Sequence, residues 1–124
     1  MRYVIISRMD PEKSSRLRDE MPASAFQFIN DKVKEKKVPA LQELTGMGVV
    51  PGLAQILADH VQHLTELTAN GKLISGGPCD GFQDAINIFE AQSDAEARAL
   101  HDADPIVKAG FMSIQQVFCW HQVF

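Results

Sequence analysis

The sequence predicts an α+β domain with elements in the order βαββαβ, the ferredoxin-like arrangement, and with an extended helical section in its first crossover. Three observations predict it. Residues Leu53, Ile56, Leu57, Val61, Leu64 and Leu67 repeat at the helical period and mark one long amphipathic helix. Short runs of β-branched and aromatic residues stand at 2–8, 72–75, 85–91 and 113–120. Between the last two runs, Ser93-x-x-Glu96 has the form of a capping box that opens a second helix.

Taken in order, Arg2–Arg8 reads as the first strand, and Met9-Asp10-Pro11 ends it. Residues 12–22 are polar and charged and read as a loop closing at Pro22. From Ala23 the spacing of Phe26, Ile29 and Val33 is helical, with Lys32–Lys37 as a solvated run. Pro39 ends or kinks that helix, and Leu41 and Leu44 add a turn before Gly46-Met47-Gly48. The helix 53–70 stops at Asn70-Gly71. Lys72-Leu73-Ile74-Ser75 is a short strand ending in Gly76-Gly77-Pro78, residues 79–83 turn, and 85–91 is the next strand. The helix opened by Ser93 runs over 94–103 and is stopped by Asp104-Pro105, because proline disfavours helical geometry in the residue before it. A short turn near Gly110 leads into the last strand, 113–120.

One helical layer covers one sheet face. The other face is expected to carry Ile86, Ile88 and Phe118, and a second copy of the chain is expected to cover it as a homodimer. Residues 1–124 are read as a single domain with an addition at about 11–52.

Composition excludes several classes. With 45% apolar and 23% charged residues the chain is not disordered. A net charge of −4 argues against a nucleic-acid partner, and no apolar run is long enough to span a membrane. Met1-Arg2-Tyr3-Val4-Ile5-Ile6 reads as a strand rather than a signal peptide. Cys79 and Cys119 lack metal-type spacing, so a cytoplasmic protein with free thiols is expected.

His60 falls in the middle of the apolar stripe of the long helix. A ring placed there either finds a hydrogen-bond partner in the core or lines a cavity, and pattern alone favours the core histidine. The second polar cluster is His101-Asp102-Ala103-Asp104-Pro105, where a helix stops and a carboxylate can be aimed by the turn. By spacing alone, Asp102 and Asp104 serve the turn. A histidine and a carboxylate converging on a pocket would instead make a general acid/base pair. His60 and His63 diverge by about 60° and no third ligand is spaced to join them, so no metal and no cofactor is expected. Gly46-x-Gly48 does not follow a strand inside a βαβ unit and is not a dinucleotide motif.

His60, the run from Gly71 to Pro78, the Ser93-x-x-Glu96-Ala97 helix, Ala103-Asp104-Pro105 and Gly110 follow one another in a pattern that resembles the YCII-related family. That family belongs to the dimeric α+β barrel superfamily, with muconolactone isomerase as a relative. The resemblance covers 54–121 well and 1–8 loosely; the segment 11–52 departs from it, because typical members have a short connection there. The resemblance implies face-to-face sheets in a dimer and a pocket centred on a His–Asp pair, onto which His60 and Asp104 map. Gly76, Gly77 and Pro78 would form one wall as a loop; with Asp104 in the pocket, Asp102 would point away, because a two-residue step near a helix end turns the side chain to the other side. The expected function is a lyase or isomerase acting on a small metabolite with His60 as the proton carrier. The alternative is a non-catalytic ligand-binding or interaction module on the same dimer.

Overall fold

The computed structural model describes all 124 residues, Met1–Phe124. Strand β1 (Arg2–Met9) is followed by four helices, α1 (Pro11–Glu20), α2 (Ala23–Lys34), α3 (Leu41–Gly46) and α4 (Pro51–Ala69). Then come β2 (Leu73–Pro78), β3 (Asp84–Glu90), α5 (Asp94–Asp102), α6 (Pro105–Lys108) and β4 (Met112–Trp120). The strands form one antiparallel sheet in the order β2-β3-β1-β4. This is the expected βαββαβ topology, with β3 inserted between β1 and β2.

Strand alternation divides the sheet into two faces. Tyr3, Ile5 and Phe89 are buried on one face, where Leu67 of α4 and Ala97 of α5 close over them. The other face carries Val4, paired with Ile88 and Phe118, and Ile6, paired with Ile86. Here Ile86 is 39% exposed, Phe118 45% and Trp120 39%, because no helix lies over them.

Helix α4 ends as its sequence requires. Gly71 takes φ +72, its N–H donates to the Thr68 carbonyl, and the Lys72 N–H donates to Leu67. These two bonds satisfy carbonyls that the helix end would otherwise leave open.

The segment expected to be loop at 12–22 is a helix. Asp10 caps it by accepting from the Lys13 N–H at 3.1 Å, Pro11 occupies its first position, and Arg16 pairs with Glu20 one turn on. Its apolar side is little more than Leu17, followed by Met21 just past the end, so there is no stripe for a periodicity search to find. Leu17 and Met21 join Ala25, Leu44, Val49, Leu53, Leu57, Ile106 and Phe111 in one core cluster. The long first crossover is therefore packed onto α4 and α6.

Helix α2 forms where expected, and its apolar side is divided between core and cavity, with Phe28 and Ile29 packed against the core cluster. Ala25 is the residue it buries, while Phe26 and Val33 stay exposed and, with Ile29, face a cavity. The Lys32–Lys37 run is also less uniform than expected. Lys32 pairs with Glu43 at 3.6 Å, and Lys36 reaches the cavity.

Candidate active site

A cavity of about 1320 Å³ lies between the helices and the sheet, and half of its lining residues are apolar. Helix α4 forms one side, β2 and β3 the opposite side, α1 and α2 the outer wall, and the α5–α6 junction the end. A smaller cleft of about 160 Å³ beside Arg8, Met9 and Arg18 contains no histidine.

Two elements bring His60 and Asp104 together. His60 projects from α4 toward the cavity. Asp104 is the N-cap of α6, with Pro105 at the first helical position, so its side chain is turned back toward its own helix. Its Oδ1 accepts the Ile106 N–H at 3.0 Å. The His60 Nδ1 lies 2.7 Å from one Asp104 oxygen and 2.8 Å from the other. The Asp104 side chain is nearly buried and that of His60 is a quarter exposed. A carboxylate at this depth is costly without partners, and here it has an imidazole and a backbone amide.

This arrangement sets the ring's chemistry. A carboxylate accepts from Nδ1–H and so fixes that tautomer, leaving the Nε2 lone pair free. The His60 Nε2 makes no hydrogen bond within the protein. A free ring nitrogen, oriented by a buried carboxylate beside a cavity, is equipped to take a proton and to be stabilised as an imidazolium.

Gly76, Gly77 and Pro78 line the same cavity. They are strand residues of β2 rather than the expected loop, paired with Asn87, Ile86 and Ala85 of β3. A side chain at Gly76 would collide with the Asn87 carboxamide oxygen, so the missing Cβ is what lets Asn87 lie across β2. Asp84, at the rim, is held by Arg8 at 2.9 Å; that hydrogen bond raises the Arg8 guanidinium above its ordinary pKa. The cavity's two carboxylates thus each have a partner. Its two cations, Arg18 and Lys36, make no ion pair.

Two further histidines border the cavity. His63 lies at the edge of the α4 stripe, as its angle predicts, with its Nε2 sealed and unpartnered. His101, which the sequence places in the second polar cluster without a role of its own, is 3% exposed, and its Nδ1 lies 3.0 Å from Asp102. The signal for it was present, since His101 follows Ala97 by four and shares the buried side of α5. Asp102 is solvent-exposed, as expected, but it holds this ring rather than only pointing away. No three His, Cys, Asp or Glu side chains come together in a metal-holding group.

The topology and the cavity between sheet and helices define a ferredoxin-like α+β fold. A solved structure supports that class: 5-chloro-2-hydroxyhydroquinone dehydrochlorinase (TftG) from Burkholderia phenoliruptrix AC1100, in complex with 2,5-dihydroxybenzoquinone. It covers 98% of this chain and 94% of its own, with a TM-score of 0.52 and 21% identity, a likeness of fold alone. The model of the YCII-related domain matches residues 1–121, and the chain belongs to that family. A curated relative, a glutamyl-tRNA(Gln) amidotransferase subunit from Cyanothece sp., is 32% identical over 108 residues. The match takes in 87% of this chain but spans only 22% of that protein's length. No helix is long and apolar enough to cross a membrane.

Proposed function

We propose that this protein is a small-molecule enzyme of the lyase or isomerase kind, in which His60 moves a proton and Asp104 orients it. The observation that carries the reading is the His60 Nδ1–Asp104 pair, at 2.7 and 2.8 Å, on the wall of a cavity large enough for a metabolite. A core histidine would be packed on every side, whereas this one has a free Nε2 beside open space. The fold neighbour's lyase chemistry on a chlorinated hydroxyquinol agrees with this class of reaction.

The substrate is proposed to be a small ring compound that becomes anionic as it reacts. The apolar half of the lining suits a ring, and the unpaired Arg18 and Lys36 favour negative charge developing on an oxygen. The segment 11–52 sets the size of the site, since α1 and α2 supply its outer wall. The working unit is proposed to be a homodimer that covers the exposed face of Ile86, Phe118 and Trp120. Free Cys79 and Cys119 suit the reducing cytoplasm.

The test is protein-dependent incorporation of solvent deuterium into a panel of hydroxyquinones, cyclic ketones and lactones, read by NMR. We expect at least one compound to exchange, and His60→Ala to remove the exchange while the fold persists. Binding across the panel with no exchange would favour a ligand-binding module instead.

A further inference from the structure

Beyond His60, the cavity wall contains a second histidine–carboxylate pair. His101 is almost wholly buried and borders the cavity, while its partner Asp102 has 61% of its side chain in solvent. The contact between them is through Nδ1, at 3.0 Å. The Nδ1 edge of the ring therefore faces the molecular surface. Its Nε2 makes no hydrogen bond within the protein, and the residue lines the cavity.

The two pairs share one short piece of chain. Asp104, which holds His60, donates its backbone N–H to the His101 carbonyl at 3.2 Å. The end of α5 thus carries both His101 and the anchor of His60 on one stretch of hydrogen-bonded backbone.

We propose that His101 is the second proton carrier of this site, with its tautomer held by Asp102, and that the substrate class is one whose reaction needs one proton removed and another delivered. The inference rests on the acid/base reading of His60. In the forward step, the His60 Nε2 forms a bond to hydrogen as a substrate C–H bond breaks. The electron pair moves into the substrate, and the His101 imidazolium delivers its Nε2 proton to a second carbon, to the developing oxyanion or to a leaving group. His60 ends as imidazolium and His101 as neutral imidazole. Once product leaves, water entering the cavity takes the proton from the His60 Nε2 and returns one to the His101 Nε2, so both rings are reset. Asp102 acts here as a positioning residue, because it fixes the Nδ1–H tautomer and stabilises the imidazolium without reaching the cavity. An elimination or a double-bond shift has this two-proton requirement.

The experiment follows both rings by long-range ¹H–¹⁵N NMR of histidine-labelled protein as saturating 4-nitrophenol is added. This phenol is a probe that is apolar at its ring and acidic at its oxygen. The expected result is a shift at the Nε2 of His60 and of His101, with His63 unmoved. In Asp102→Asn the His101 Nδ1–H tautomer and its response should be lost, while the His60 response persists; a merely structural His101 would not respond to ligand in either protein. A shift at His60 alone overturns the second-carrier proposal and leaves the His60 reading intact. Absence of a shift at both rings overturns both. His101→Gln, which keeps a polar group of similar reach, should leave the His60 shift unchanged, and its loss there would reassign His101 to packing.

Discussion

Phe26 on α2 and Phe82 in the β2–β3 turn meet with ring centroids 6.5 Å apart and planes tilted by 54°. Both rings border the cavity, and no other aromatic pair joins the first crossover to the sheet edge. Phe82 holds φ +58, a region that bulky side chains rarely occupy. The cost of that conformation is set against a contact that ties the outer wall of the cavity to its sheet edge.

Loosening this tie should change access more than stability. The pair should contribute about 0.5–1.5 kcal/mol in a double-mutant cycle of Phe26→Ala and Phe82→Ala. Phe82→Gly relieves the backbone strain while removing the ring, so its melting temperature should stay near that of the parent. Amide exchange over 23–34 should nevertheless rise, and ligand on- and off-rates should rise with it. Unchanged exchange in α2 would mean that the core cluster alone holds the wall.

Asp104 serves the fold as well as the site, and two substitutions separate these roles. Asparagine caps helices about as well as aspartate, so Asp104→Asn should retain the cap on Ile106 while losing the charge beside His60. Asp104→Ala loses both and should be less stable than Asp104→Asn by about 1 kcal/mol. Urea denaturation of the two variants measures the difference. Equal stabilities would show that the cap contributes nothing.

Gly76 and Asn87 form a second coupled pair. Gly76→Ala places a methyl group on the Asn87 carboxamide and should destabilise by about 1 kcal/mol. Asn87→Ala removes the obstacle, so the double variant should recover most of that loss. Additive losses by chemical denaturation would mean that the β2 backbone, not Asn87, rejects the side chain.

The open sheet face gives a prediction about assembly. Sedimentation at micromolar concentration should show a dimer, and Phe118→Lys, which places a charge among Ile86, Ile88 and Trp120, should shift it to monomer with its helices intact. A parent chain that sediments as a monomer would leave that face without its proposed cover.

Much of this fold was legible because several elements have strong local grammar. The α4 stripe, the Asn70-Gly71 stop, the Ser93 capping box and the Asp104-Pro105 break each match an observed boundary to within two residues or so. Helix α1 was not legible from periodicity, since Leu17 is its one buried residue; Asp10-Pro11 is a sound start signal but reads equally well as the end of a strand. What lies against the apolar side of α2 was not legible either. A stripe of Phe26, Ile29 and Val33 says that one side is apolar, not whether protein or an empty cavity lies against it. Gly76-Gly77-Pro78 looked like a loop because glycine and proline disfavour strands, yet β2 is an edge strand, where proline is tolerated. For the site, the family pattern brought His60 and Asp104 together, and the geometry agrees. His101 was hidden because its partner is its own neighbour, and adjacent helical residues are not expected to face each other.

The most direct test of the acid/base reading is a graded series on whichever panel compound exchanges fastest, with each variant first shown to melt cooperatively. The parent should exchange fastest, and Asp104→Asn, which keeps the ring but loses its orienting charge, should be slower by about tenfold to a hundredfold. His60→Ala should fall further, by about the hundredfold to ten-thousandfold that a positioned acid/base group supplies. A folded His60→Ala protein that exchanges at the parent's rate would contradict the assignment of His60 as the proton carrier.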